Sequence, residues 1–554
     1  MMARSSLAAA RLLLFTTATF AFFACDSGPQ PGEEASYWGK KLQEGELAKR
    51  EAAMQHLVQL KDPKSLPFLY DVLKGDVIQL KSSAAQLIAA IGDDTSVEPL
   101  LGAVDWNAGA GRDKDSRLAA TTNERIAQGL ANLGKPGDTK VIETLRRLAG
   151  SNHLNTQLAA IVGLGELRAE SAVQDLIDIA EGHDNNFMVK NAIIALGNIG
   201  DEKAVPVLTK MLFFERGVSF YREASYALFQ LGKPAVATLK AVYNGTFAPI
   251  EALHIPPGIA KAKALEVLTD IGDPQVIDLA IAANNLAGGD TETVLARAKA
   301  QVALGRLGVK SAVSGLMRHW DDVDVSQSEF ALAAISHIGD RGAAPALLQM
   351  STHAGYLDQC VTKQQNPEGA CRFSEHQVRK VRLEALSRLA GGDIAGAWQE
   401  MILDAEKQAA SEKDKAAAAS GNDKQVAEKA AQGHEKTRDL LKERMPMLDA
   451  ATECGDNLEC WVGKLASENP RVREKAGYEL LYRGDQSASA ALLKSLADQD
   501  NEARYAAILA SWRTLPKDGV EQIDAILTAE KGKTQFVRIN EDLKRLRVKV
   551  ARGY

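Results

Sequence analysis

Apolar side chains recur along most of this chain at the spacing of one helix face, and run after run stops at a glycine. Three stretches line up residue for residue: Ala84 to Asp93, Ala192 to Asp201 and Ala264 to Asp273, each an apolar stripe closed by Gly-Asp. The same frame fits Ile126 to Gly134, Ala224 to Gly232, Ala300 to Gly308, Ala331 to Gly339 and Ala476 to Gly484, and a weaker copy, Ala160 to Arg168, lacks the glycine. Glycine takes the left-handed conformation past a helix end at least cost, so each run predicts a helix ending there. The ends at 134, 168, 200 and 232 are 34, 32 and 32 residues apart, and those at 308 and 339 are 31 apart. That period holds one helix pair with its turns.

The segments after the glycines support the pairing. Thr95 to Leu101, Glu202 to Leu208 and Gly342 to Leu348 each open with turn-forming or charged residues and run into a second apolar stretch. Pro99, Pro206 and Pro345 lie near the start of that stretch, where a missing N–H costs little. The unit is helix A, turn, helix B, turn.

Composition agrees with an all-helical reading. A chain of 554 residues is too long for one core, so it needs several domains or an extended array. Aromatic content is only 5%, and 66 basic against 72 acidic residues leave a net charge of -6, which argues against a nucleic-acid partner.

The first 25 residues differ in kind. Arg4 and Arg11 precede an uncharged, mostly apolar run, Leu12 to Ala24, that is 13 residues long and too short for a permanent membrane span. It reads as a secretion signal. Ala24-Cys25 resembles the bacterial lipobox, which implies cleavage before Cys25 and attachment of diacylglycerol to it; Phe22 and Phe23 depart from the commoner residues of that motif. Asp26 to Glu34 carries nothing apolar to bury beyond its prolines and predicts a flexible tether. Asp26 fits the enteric signal for inner-membrane retention, a rule that varies between lineages, so inner and outer membrane both stay open.

The helix pairs resemble HEAT repeats of the short bacterial kind also found in relatives of bilin lyases, from about Glu51 to about Leu527. The resemblance implies an α-solenoid in which A helices line a convex side and B helices a concave groove. Basic residues recur near the starts of the B helices, at Lys81, Lys190, Arg222, Lys261, Arg297, Lys380 and Arg473, and acidic ones precede them at Asp76, Asp184 and Asp322. In HEAT proteins such pairs commonly form a ladder between neighbouring repeats. The competing reading makes Lys190, Arg222, Lys261 and Arg297 a row that contacts an acidic partner.

Two stretches interrupt the repeats. One, after Gly339, carries Cys360 and Cys371 around Asn366-Pro367-Glu368-Gly369; further on, Cys454 and Cys460 form a second close pair. In an exported protein these read as two local disulfides, and neither pair has the spacing of a zinc knuckle. The other, about Gln399 to Met445, is rich in Ala, Lys, Glu, Asp and Gln and breaks at Ser420-Gly421-Asn422-Asp423. It predicts a polar helical hairpin or coiled-coil arm, or else a solvated linker, because Val426, Leu440 and Leu441 are too few to define a seam.

Catalytic chemistry is hard to find. HEAT hydroxylases that bind iron resemble one another in recurring His-Glu dipeptides, and this chain has one, His434-Glu435. No Gly-rich phosphate loop or nucleophile elbow follows a strand. The expected organisation is an all-α solenoid: signal peptide 1–24, lipidated Cys25 and tether 25–36, main array 37–398, charged helical hairpin or linker 399–445 and C-terminal repeats 446–554. The expected function is a membrane-anchored, non-enzymatic scaffold of the bacterial cell envelope, facing the periplasm. It would bind envelope proteins or peptides along the concave face and the lipid bilayer through its acyl anchor, with no metal and no cofactor. A HEAT-type enzyme and a purely structural spacer are the alternatives.

Overall fold

In a computed structural model, residues 28–552 are described except 110, 112, 321–324, 353–372, 515, 517, 534 and the side chains of 326 and 327. The chain divides into two units, one ending at Leu167 and one beginning at Arg168. Among the described residues there is no strand, only an isolated bridge between Glu215 and Ser219.

The first unit contains α1 (Glu34–Gln43), α2 (Leu47–Leu60), α3 (Leu66–Gly75), α4 (Ile78–Ile91), α5 (Val97–Gly102), α6 (Lys114–Leu133), α7 (Thr139–Ala149) and α8 (Leu154–Glu166). Consecutive helices pair as hairpins. The hairpins then stack, odd helices against odd and even against even, so that α4 lies on α6 and α6 on α8. No hairpin can bury its apolar stripe alone, and each neighbour covers the face the last one leaves, which is the α-solenoid principle.

The second unit continues the pattern with α9 (Val173–Gly182), α10 (Asn186–Ile199), α11 (Val205–Met211), α12 (Tyr221–Leu231), α13 (Lys233–Tyr243), α14 (Pro257–Ile271), α15 (Val276–Asn284), α16 (Thr291–Leu307), α17 (Val313–Leu316), α18 (Val325–Ile338), α19 (Ala344–Thr352) and α20 (Glu375–Leu389). Two long helices come next, α21 (Ala395–Ala418) and α22 (Gly421–Cys454), then α23 (Leu458–Lys464), α24 (Pro470–Arg483), α25 (Ser489–Ser495), α26 (Asn501–Thr514), α27 (Val520–Ala529) and α28 (Val537–Arg552).

The Gly-Asp ending serves the same purpose in repeat after repeat. Asp93, Asp201, Asp273, Asp340 and Asp485 each accept a hydrogen bond from the backbone N–H two residues on, at 2.8 to 3.0 Å, which turns the chain into the next helix. The glycines themselves fall into two groups. Gly200, Gly272, Gly308, Gly339 and Gly484 are left-handed, with φ of 81°, 78°, 66°, 77° and 61°. Gly92 and Gly134 depart from that expectation, with φ of -70° and -68°. A Cβ at either would lie 2.5 Å from the carbonyl oxygen of Ile88 or Leu130, so close backbone approach, not handedness, selects glycine there.

The stretch expected as an arm or a linker is helical. α21 and α22 run antiparallel, tied by Lys413 to Glu435 at 2.5 Å, Lys442 to Glu406 at 2.6 Å and the Trp398 indole N–H donating to the Leu441 carbonyl at 2.9 Å. The buried residues along them include Ala405, Ala409, Ala416, Ala427 and Ala431, whereas Val426 is exposed.

Candidate interaction surface

Counting back from each terminal glycine aligns the even helices. Two residues before the glycine stand Asn198, Gln230, Asp270, Arg306 and His337, with Arg388 two before Ala390 in α20. From Asp270 onwards this row does not face solvent. The C-terminal helices α24, α26 and α28 run back along it, in reverse order, from α20 to α12.

The contacts across this seam are polar. On α28, Glu541 meets Arg222 at 2.6 Å, Asp542 meets Arg306 at 2.8 Å and Arg545 meets Asp270 at 2.7 Å, while Asp270 also binds Arg306 at 2.8 Å. On α26, the Arg513 guanidinium donates to the carbonyls of His337 at 2.9 Å and Gly305 at 3.3 Å. On α24, Lys475 donates to the carbonyls of Arg388 and Ala390, both at 2.7 Å, and the Tyr482 hydroxyl donates to that of Ser336 at 2.7 Å. These carbonyls belong to the last turns of α16, α18 and α20, or lie just beyond them, where a helix runs out of internal donors. The terminal glycines make room for the visitors: a Cβ on Gly308 would lie 2.6 Å from the Arg513 guanidinium, and one on Gly339 would overlap the Tyr482 ring at 2.2 Å.

Carboxylates of α24 complete the seam. Glu479 meets Arg341 at 2.7 Å and Lys475 at 3.1 Å. Glu474, fully buried, meets Arg388 at 2.7 Å, Arg444 at 3.5 Å and Arg471. Burial pushes the Glu474 carboxyl up, but the three guanidiniums outweigh it and hold it at about 2. At His337 burial and charge act together: burial, then the charges of Arg388, Arg306 and Arg513, keep its imidazole neutral down to about 3.

The four basic residues singled out from sequence have partners inside the chain. Lys190 pairs with Glu223 at 3.4 Å and Arg222 with Glu541. Lys261 donates to the Tyr243 carbonyl at 2.8 Å and lies over that ring, and Arg297 donates to the carbonyls of Leu286 at 2.9 Å and Gly288 at 2.6 Å. Asp76 pairs with Arg50, Asp184 with Arg216 at 3.7 Å and Arg473 with Asp498 at 2.7 Å. Sequence reasoning looked at the beginnings of the B helices and missed Asp270, Arg306, His337 and Arg388 at their ends. The available signal was a polar side chain recurring at a fixed place inside an otherwise apolar stripe.

Beyond α12 the same face is open. Ile194 of α10 occupies the register of Tyr226 in α12, which lies near Arg547, Arg545 and Glu541 of α28, and Ile194 is 44% exposed. Phe187, two turns earlier on that face, is 65% exposed. A separate cavity of about 770 Å³ lies where α19 and α20 meet the α21–α22 hairpin, lined by Leu348, Arg379, Glu400, Met401, Asp404 and His434 among others. Cys454 and Cys460 are joined through their sulfurs with Cα atoms 5.4 Å apart. Cys25, Cys360, Cys371 and Asp322 lie outside the described residues. Among the described residues no helix is long and apolar enough to cross a membrane, and no group of three or more His, Cys, Asp or Glu side chains is placed to hold a metal ion.

Residues 148–213 match the family model for HEAT repeats. No curated protein matches the sequence. Among solved structures, importin beta in an ammonium sulfate condition is 12% identical over 92% of this chain and 71% of that one, with a TM-score of 0.46. The karyopherin Kap121p bound to the extreme C-terminus of the protein phosphatase Cdc14p is 13% identical over 94% and 68%, with a TM-score of 0.39. Human deoxyhypusine hydroxylase in complex with glycerol is 17% identical over 55% and 96%, with a TM-score of 0.21.

Proposed function

We propose that this chain is a non-enzymatic scaffold of a bacterial cell envelope, held at the membrane by an acyl group on Cys25 and binding other envelope proteins or peptides. The observation that carries the binding half is the open end of the even-helix face at α10. Phe187 and Ile194 present two large apolar side chains to water on one helix face, flanked by Asn191 and Asn198, on a helix held rigid by its neighbours α9 and α12. Isolated exposed apolar residues are ordinary. Here the two share the row that α28 covers one repeat further on, and a preordered helical surface binds at little ordering cost.

The reading is tested by placing a photo-crosslinking residue at 187 or at 194 of the anchored protein in its native envelope, with exposed Gln174 on α9 as the control position. A discrete adduct is expected from 187 and 194 and absent from 174; the adduct from 187 should be lost with Ile194→Asp, and that from 194 with Phe187→Asp, at unchanged melting temperature. Identical adducts at all three positions, or none at any, would leave the spacer reading in its place.

A further inference from the structure

We propose that the C-terminal repeats, α24 to α28, are a displaceable internal occupant of the main array's even-helix face, and that what displaces them is a helical partner carrying carboxylates. This rests on the reading of that face as the binding surface. Three observations support it. The first is that α24 to α28 share a core: Leu480, Leu492, Ile508, Ile523 and Leu546 belong to one apolar cluster drawn from residues 450–550, joined by Trp461 of α23 and Cys454 at the end of α22. Its cohesion does not depend on the array.

The second observation is the chemistry of the seam. α28 turns Leu543, Leu546 and Val550 into its own cluster and offers the array Glu541, Asp542 and Arg545. α24 and α26 add Glu474, Glu479, Glu502, Arg513 and Lys475, alongside the rings of Tyr478, Tyr505 and Trp512. Separating two apolar faces forfeits their burial outright, whereas separated ions regain water, so desolvation and attraction nearly cancel across a seam built from pairs. Interfaces of that composition inside one chain behave as transient ones.

The third observation is what the seam would uncover. Arg222, Arg306, Arg341 and Arg388 are spread over the array, with Asp270 among them paired to Arg545 of α28. α28 itself shows the kind of helix that fits: consecutive carboxylates at Glu541 and Asp542, then a guanidinium one turn on at Arg545. A competing partner would supply the same order of charges. The site it first reaches is the exposed edge of the seam, where Arg222 is 64% exposed, next to the open face of α10.

The experiment uses the full chain. In an opened variant, Glu541→Lys with Asp542→Lys, each new lysine faces an arginine; in a swapped variant, Arg222→Glu and Arg306→Glu are added to restore opposite charges, with Asp270→Asn so that no second carboxylate lies against position 306. Hydrogen exchange should rise at least tenfold at the last turns of α14 and α16 of the opened variant, stay slow through the core of α24 to α28, and return toward the parent in the swapped one. Exchange unchanged by the reversal, or a rise across the whole 450–550 core, would overturn the clasp. A labelled peptide of residues 536–552 is then added in trans. It should bind the opened variant at least ten times more tightly than the parent, and a peptide with its charges reordered should not. If exchange responds and the peptide binds neither protein, the clasp stands and the reading of this face as a binding surface falls.

Discussion

Glu474 shows how one residue can set the acid limit of a unit. Its ordinary carboxyl value is 4.5 and its folded value about 2. A carboxyl depressed in this way adds stability that is fully present above about pH 4.5 and lost as pH falls toward 2. His337 acts in the same direction over a higher window. Its imidazole stays neutral to about 3 in the fold but takes up a proton below 6.5 when exposed, so stability declines as pH drops from 6.5 toward 3. The groups around that ring are Arg306, Arg388, Arg513, Tyr478 and Tyr505. The second unit should therefore melt at progressively lower temperature from pH 6.5 downwards. Glu474→Gln should cost about 3–5 kcal/mol at pH 7, because it strands buried guanidiniums. The same variant should flatten the loss below pH 4.5, while His337→Leu flattens it between 6.5 and 4.5. Melting curves from pH 3 to 8 test both, and an unaltered acid profile in either variant would refute its assignment. Reading Glu474 from sequence was out of reach, since nothing in Arg471 to Lys475 says that Arg388 and Arg444 come from elsewhere to meet it.

At the scale of the element, the repeats were legible because glycine, aspartate and the apolar stripe recur in one frame. The expectation that every terminal glycine is left-handed fails at Gly92 and Gly134, where the neighbouring carbonyl excludes a Cβ instead. The α21–α22 hairpin was half legible: helix propensity and the turn at Ser420 were visible, and of the large apolar residues Val426, Leu440 and Leu441 the last is buried while Val426 is exposed. Away from Trp398, Ile402 and Leu441 the buried seam is alanine, and alanine is common enough on any helix to hide it. Ala409→Leu should destabilise by about 1–3 kcal/mol through overpacking, while Val426→Ala should leave the melting temperature unchanged; equal effects would mean that the seam lies elsewhere. At the exit of the hairpin, peptide mapping without reductant should find Cys454 joined to Cys460, and elsewhere Cys360 to Cys371, since each loop closes at low entropic cost. Free thiols in the protein isolated without reductant would reject the pairing.

At the scale of the molecule, periodicity reports which residues face a neighbouring repeat and is silent on contacts between distant ones. Asp270 with Arg545 and Arg306 with Asp542 are separated by 275 and 236 residues, and ion pairs leave no repeat of their own in the sequence. The fold-back of the C-terminal repeats was therefore invisible, although α24 was readable from its apolar stripe and terminal glycine; α28 lies beyond Leu527, where the recognised repeats end. The proposed anchor is the opposite case, since it rests only on a local pattern at the start of the sequence. Among the described residues no helix could cross a membrane. If Cys25 carries diacylglycerol, the lipid supplies the attachment, and a diacyl anchor adds roughly 0.8 kcal/mol for each buried methylene. Cys25→Ala should then abolish labelling by a radioactive or clickable fatty acid and move the protein from the detergent-rich to the aqueous phase in phase separation. The folded body should keep its melting temperature, because the exchanged residue precedes α1, which begins at Glu34. Unchanged labelling would reject Cys25 as the acceptor; lost labelling with unchanged partitioning would show that another segment holds the chain at the membrane.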